Sequence, residues 1–452
     1  MTEKLILVID DDPTGIQTAH GHWMYYRWSA EVFKAIFQQD RLAFLETNAR
    51  SLPESEAVRI NAELMGLAIE ASRLTGRDFR VISRSDSSLR GHFPAEPDAL
   101  RATLERVGGQ RIDGLLLCFF LAEAGRVTID NVHFIRQSDG SLLPVSSTEF
   151  AHDEVFGYRS ADLTHYIEEK TASRSGGQLR AETIRSIPHQ WLELNNTKLV
   201  VNELLTLQNY APLVINCTEY GQLRVLVEAL RRAEEKGKRF LFRTAASFVK
   251  AYGQIPDKAL LTGNELSPYL SDGPVLTIIG SHTANTTRQL EALKAEPDAG
   301  LVELPISGLL TDTPRTVNQV VDQCVDIVSR GKHPVVYTAR QVVSRKATSE
   351  EALNFSQQIS EAVASVVFKF PLRPCAVIAK GGITSSDVAT KGLLMQKAQI
   401  LGQIRPSISV VLTGPESRFP QLPYVIFPGN TGEVNDLRSI WKLLKAPGKR
   451  AK

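Results

Sequence analysis

The chain has 452 residues, 43% hydrophobic and 23% charged, with a formal net charge of +2. Its length exceeds one ordinary core and predicts two or three domains. The balance excludes a disordered chain, a basic nucleic-acid surface and an acidic tail. No apolar run approaches the roughly 20 residues of a membrane span, so neither nucleic acid nor membrane is an expected partner. The N-terminus enters a strand almost at once, so no signal peptide is expected. Cys118, Cys217, Cys324 and Cys375 lie far apart, mostly in or beside apolar runs. Buried thiols and a cytoplasmic location are the expectation.

The first apolar run, LILVI, ends in Asp10, Asp11 and Asp12, followed by Pro13, Thr14 and Gly15. Three like charges in a row repel, and a fold tolerates them where a cation, a proton or a substrate hydroxyl relieves the repulsion. Turn chemistry accounts for one aspartate at such a place, not three. Asp10, Asp12 and Thr14 also fit the opening motif of haloacid-dehalogenase-type phosphatases, with Asp10 as nucleophile. That family needs a later acidic pair, and the chain has no Gly-Asp dipeptide and no second Asp-Asp.

A helix is expected over 54–74, then the strand FRVIS and a polar loop within 83–100. The loop holds Asp86, Ser87, Ser88, Arg90, Gly91 and His92. An arginine fork suits a carboxylate and serines suit hydroxyls. Past the strand GLLLCFF stand Glu123, Gly125, Arg126 and Thr128, while His133, on an alternating run, reads as a buried, satisfied histidine. Residues 137–198 break the pattern as an inserted, more polar segment, in the manner of a substrate-covering flap. The strand PLVINC, a helix over 221–236 and the strand RFLFR complete the first half. Residues 254–274, rich in Pro, Gly and Ser, read as a linker.

The second half repeats the alternation. Its strands are VLTIIG, GLVELP, PVVYTA, CAVIA and YVIFPG. Its helices are expected at about 283–295, 315–330, 349–368 and 384–396. Apolar strands alternating with helices predict α/β domains with mostly parallel sheets flanked by helices. Such sheets bind ligands beyond the carboxyl ends of their strands. Gly280 and Ser281 stand at one strand-to-helix junction, where free N–H groups suit an anion. Lys380, Gly381, Gly382, Ile383 and Thr384 stand at the next, where paired glycines let the backbone approach phosphate and Lys380 adds charge. Gly429, Asn430 and Gly432 follow the last strand. None of these is a P-loop or a G-x-G-x-x-G fingerprint.

Taken together these segments resemble the four-carbon acid sugar kinase family. The D-D-x-T-G segment is matched by Asp11 to Gly15, the D-S-T-L-R-G segment by Asp86 to Gly91, and the E-x-G-R-x-T segment by Glu123 to Thr128. The G-S turn is matched by Gly280-Ser281, the G-G-x-T loop by Gly381 to Thr384, and the G-N-x-G end by Gly429 to Gly432. The chain departs from the family at Phe427-Pro428, where Lys-Ser is common, and at Asn48-Ala49-Arg50, where D-T-R is common.

The resemblance implies ATP-dependent phosphorylation of a hydroxyl on a small sugar acid such as a tetronate or 3-oxo-tetronate. Residues 1–253 would bind the acid and 275–452 the nucleotide. Arg90, with Arg126 or Arg50, would pair with the carboxylate, while Asp86 and Ser87 orient hydroxyls and Gly91 also belongs to the acid-binding set. Asp12 is the favoured base, with Asp11 as the other candidate. Ser281, Lys380, Gly381, Gly382, Ile383, Thr384, Gly429 and Asn430 would surround ATP. Mg2+ would bridge the phosphates and keep several waters, with one aspartate nearby as an option and no protein ligand assigned, and domain closure would bring phosphoryl group and hydroxyl together. The alternatives are the phosphatase that uses Asp10 and Asp12, and a sugar-acid sensor that never consumes ATP. The oligomeric state stays open, with a homo-oligomer among the options.

Overall fold

The computed structural model describes residues 4–137, 139–173, 179–339 and 349–445. They form two compact units, one of Met1–Thr18 and Trp28–Asp257, the other of Ala19–Arg27 and Lys258–Lys452.

Among the described residues, the first unit's main sheet has seven parallel strands. Their order is Leu42–Glu46, Leu5–Asp10, Phe79–Arg84, Phe240–Thr244, Gly114–Cys118, Ala211–Ile215, Arg185–Ile187. Most of these strands are buried along their length, which is why they read as continuous apolar runs. Because they are parallel, their carboxyl ends share one margin. Asp10 pairs in register with Glu46 on one side and Arg84 on the other, and Thr244 with Arg84 and Cys118. The chain steps from Leu5–Asp10 to a strand on one side, then crosses to a strand on the other. That reversal is the switch point beside which open α/β sheets hold ligands.

Residues 137–198 are not a separate polar insertion. An antiparallel sheet of Arg126–Ile129, Val132–Arg136 and Leu142–Pro144 begins earlier, and Arg185–Ile187 belongs to the main sheet. Between them the helix Leu163–Lys170 is capped by Asp162, whose side chain accepts from the Thr164 and His165 N–H groups.

The second unit's sheet runs Ala299–Leu304, His333–Thr338, Val275–Ile279, Ala376–Lys380, Pro423–Phe427, all parallel. It continues with the antiparallel strands Ile408–Thr413, Lys397–Arg405 and Trp23–Tyr25. The antiparallel part was not expected from the apolar runs. Lys397–Arg405 alternates buried and half-exposed residues, so it carries no such run. The helix expected over 384–396 is Gly382–Asp387 continued by a wider turn to Gly392, after which Leu394 takes a left-handed conformation. Of the expected linker, residues 258–274 are part of the second unit. Leu261 and Leu266 lie in its core with Trp441, Val275 and Ile404.

All four cysteines are buried free thiols, and burial pushes Cys118, Cys324 and Cys375 up to about 12. Among the described residues, no helix is long and apolar enough to cross a membrane.

Candidate active site

The three aspartates leaving the first strand have three different environments. Asp10 is wholly buried. Its Oδ1 accepts from Arg84 Nη1 at 2.8 Å, while Oδ2 has no hydrogen-bond partner among the described residues. Burial raises its pKa to about 7 against the pull of Arg84. A carboxyl so enclosed is a poor nucleophile, which counts against the phosphatase alternative.

Asp11 is also buried, and burial alone would push its pKa up. Arg50, Arg243 and Arg84 outweigh that and hold it below the usual carboxylate range. Arg50 Nη2 lies at 2.6 Å, Arg84 Nη1 at 3.7 Å and Arg243 Nη2 at 4.0 Å, and Ser85 Oγ donates to it at 2.7 Å. Asp12 is the least enclosed, its side chain 11% exposed. One oxygen caps the turn by accepting from Thr14 N at 2.8 Å, and the other faces Arg50 Nη1 at 3.3 Å.

The loop after Phe79–Arg84 supplies the next group. Asp86 accepts from Arg90 Nε at 2.7 Å and from the Ser88 hydroxyl. Burial would raise its pKa, but Arg90 and Arg50 hold it far below the ordinary value. Arg90 Nη1 also faces Asp153 Oδ2 at 3.5 Å. Gly91 has φ +127°, and a Cβ there would stand 2.8 Å from both Arg243 Nη2 and Asp11 Oδ2. Only glycine allows that approach.

Arg126 differs from Arg50, Arg84, Arg90 and Arg243. Those four are each ion-paired to a carboxylate, and Arg126 has no such partner among the described residues. Its Nη1 donates to the Ala124 carbonyl at 2.6 Å and its Nε has no partner. Burial lowers its pKa, with Asp86 the first of the groups opposing that. Its guanidinium lies 5.8 Å from the centre of the Phe150 ring, with Arg90 4.9 Å from the same ring.

The sequence-expected residues Asp11, Asp12, Arg50, Asp86, Ser87, Arg90, Gly91 and Arg126 thus gather at one margin of the first unit. Arg84, Arg243, Glu96 and Ser85 join them without having been expected. Arg243 bonds Glu96 at 2.9 Å and Ser83 at 2.7 Å. Arginines ending the apolar runs FRVISR and RFLFR were the available signal.

The second unit brings three loops together by uncharged contacts. Ile279, Lys380 and Phe427 stand in register at the ends of adjacent strands. A Cβ on Gly280 would lie 2.1 Å from Thr384 Oγ1, and one on Gly429 2.7 Å from Ser281 Oγ. Gly381 has φ +122° and a Cβ site 3.4 Å from Ser281 N. Thr283 and Thr286 hydroxyls hold the Gly429 carbonyl at 2.7 and 2.8 Å. Gly382 begins a helical turn in which Thr384 is buried. Ile383 and Asn430 are exposed. Lys380 is placed otherwise than expected. It is wholly buried, its Nζ donates to the Pro428 carbonyl at 2.8 Å, and it lies 3.7 Å from the centre of the Phe427 ring. That bond ties Lys380 to the Pro428–Gly429 turn.

A sugar-binding N-terminal domain family matches residues 6–252, and a nucleotide-binding C-terminal domain family matches residues 276–437. The chain belongs to the four-carbon acid sugar kinase family. The charged margin therefore lies in the family's sugar-binding domain and the glycine loops in its nucleotide-binding domain. Two solved structures share the fold. A Haemophilus influenzae protein has a TM-score of 0.62 at 16% identity, with 97% of this chain and 100% of that one covered. A Salmonella typhimurium LT2 protein named "putative tRNA synthase" has a TM-score of 0.65 at 17% identity, with 97% and 98% covered. No curated protein sequence matches.

Proposed function

We propose that this chain is an ATP-dependent kinase that phosphorylates a hydroxyl of a four-carbon sugar acid, a tetronate or 3-oxo-tetronate. The observation that carries this reading is Arg126, a half-buried cation without a carboxylate partner among the described residues, beside arginines that each have one. An unpaired charge held partly out of water is costly, and a ligand carboxylate would relieve the cost with a two-pronged bond. Arg90, locked on Asp86, orients the neighbouring hydroxyls together with Ser87. Asp12 accepts the proton of the attacking hydroxyl. Its second oxygen faces Arg50 at the long distance of 3.3 Å, whereas Asp11 is an anion saturated by donors. Arg50 and Arg84 serve to hold Asp11, and so to fix the turn that presents Asp12.

Mg2+ bound with the nucleotide would neutralise phosphate charge, and Asp12, the least enclosed of the three aspartates, is the residue that would stand nearest to it. The bare backbone of Gly381 and Gly429, with the Ser281 and Thr384 hydroxyls, forms the phosphate cradle. Phosphoryl transfer asks the protein mainly for alignment and charge neutralisation. A screen of ADP release over four- and five-carbon sugar acids tests the reading. Turnover with a tetronate is expected. Binding of an acid without ADP release from any of them would make the chain a sensor instead.

A further inference from the structure

The loop that carries Asp86, Ser87 and Arg90 is held from behind. Three successive carbonyls each accept from a different buried side chain of the segment Arg126–Lys170. His133 Nε2 meets the Ser87 carbonyl at 2.8 Å, Tyr158 OH meets Ser88 at 2.9 Å, and Tyr166 OH meets Leu89 at 3.0 Å. Each donor is itself fixed. The carbonyl partner requires the proton on Nε2, and His133 Nδ1 then accepts from the Thr128 hydroxyl at 2.9 Å. Tyr166 stacks on Phe93 at 5.6 Å, and Tyr158 meets the Tyr166 ring edge-on at 5.8 Å. The loop so held includes Leu89 at φ +70°, a left-handed conformation that a non-glycine residue adopts only when its surroundings impose it.

We infer that His133, Tyr158 and Tyr166 are positioning residues for the sugar acid: three donors that lock the peptide planes of residues 87–89 and thereby aim Asp86, Ser87 and Arg90. The segment expected as a flap is then a fixed clamp behind the binding loop. Fixing three consecutive planes leaves the loop little freedom, so the acid meets a preformed site and binding need not order the loop. The three act through the loop carbonyls they hold, and none has a reason to affect ATP. The inference rests on the proposed sugar-acid site for its kinetic consequence, but not for its structural one.

Two measurements keep these apart. In Y158F/Y166F, which removes two hydroxyls and no ring, amide hydrogen exchange across residues 85–91 is expected to quicken about tenfold. Exchange in the second unit should stay unchanged. The KM for the acid found in the ADP-release screen should rise about tenfold with the KM for ATP unmoved. H133L should act likewise, and H133Q, which keeps an N–H donor, should restore most of the loss. Should the double variant not fold, Y158F alone is read the same way. Unchanged exchange at 85–91 overturns the clamp. Faster exchange with an unmoved KM for the acid overturns its role in substrate positioning. An absence of turnover with every sugar acid overturns the proposed function, and the exchange result still decides the clamp.

Discussion

The two margins of strand ends are built from opposite materials. In the first unit, carboxylates and guanidinium groups interlock: Asp10 with Arg84, Asp11 with Arg50 and Arg243, Asp86 with Arg90, Glu96 with Arg243. In the second, the convergence rests on glycine backbone and on the hydroxyls of Ser281, Thr283, Thr286 and Thr384, and the lysine that the sequence offers is turned inward. Fixed charges in a poorly solvated site discriminate sharply and set proton affinities, because any mismatch leaves a buried charge unpaired. Neutral N–H and hydroxyl donors suit a ligand that arrives with its own counterion, since they cost little when empty. In the proposed function, chemistry belongs to the charged unit and holding to the neutral one, and variants can break either half.

The largest effect is expected at Asp12. Asp12→Asn should lower kcat by about 10² to 10⁴ while sugar-acid binding persists. A kcat within twofold of wild type would pass the base role to Asp11. Next comes the neutral half. Gly381→Val puts a branched side chain at φ +122°, beside Ser281. ATP affinity in calorimetry should fall about a hundredfold with acid binding kept. A folded variant with normal ATP affinity would dissolve the proposed cradle.

A smaller effect is expected at Arg126. Lysine lacks the planar fork, so Arg126→Lys should raise the KM for the acid about tenfold and leave that for ATP alone. A change confined to ATP would reverse the assignment of the two margins. The smallest effect concerns stability. Asp10, raised by burial to about 7, keeps a proton in the folded chain that the unfolded chain has already released above about pH 4. The folded state binds more protons in that window, so stability falls as pH rises from about 4 to 7. In paired melts at pH 5 and pH 8, wild type should lose a few degrees more than Asp10→Asn. Equal losses would mean that Asp10 does not titrate in the folded protein.

Much of this could be read in the sequence, for identifiable reasons. Strands buried along their length produce uninterrupted apolar runs, and in a parallel sheet the residues just past those runs are the ligand-facing ones. The positions of Asp12, Arg90 and Gly381 at strand ends could be read in this way. What escaped was what depends on pairing across distance. Glu96 and Arg243 are 147 residues apart, and nothing local in RFLFR says that its last arginine turns to a helix in the Ala95–Arg106 stretch. The burial of Lys380 was not legible for a related reason. It is the last residue of a strand, and whether its side chain reaches solvent or a neighbouring turn depends on Phe427 and Pro428, which come from elsewhere in the chain. The clamp was half visible: His133 reads as buried, but its acceptor is a backbone carbonyl, which no sequence pattern marks.

The excursion of Ala19–Arg27 has a practical consequence for anyone dissecting the molecule. Those residues follow directly on the aspartate turn, yet their strand Trp23–Tyr25 completes the second unit's sheet by pairing with Lys397–Arg405. Truncation at Asp257/Lys258 therefore yields no intact half. A fragment starting at Lys258 lacks that strand, and Lys397, Ala398 and Gln399 lose their cross-strand partners Tyr25, Met24 and Trp23. An edge opened in this way invites pairing with other copies. Ribosomal synthesis makes the strand Trp23–Tyr25 first and its partner Lys397–Arg405 about 370 residues later, so this pairing forms only once most of the second unit exists.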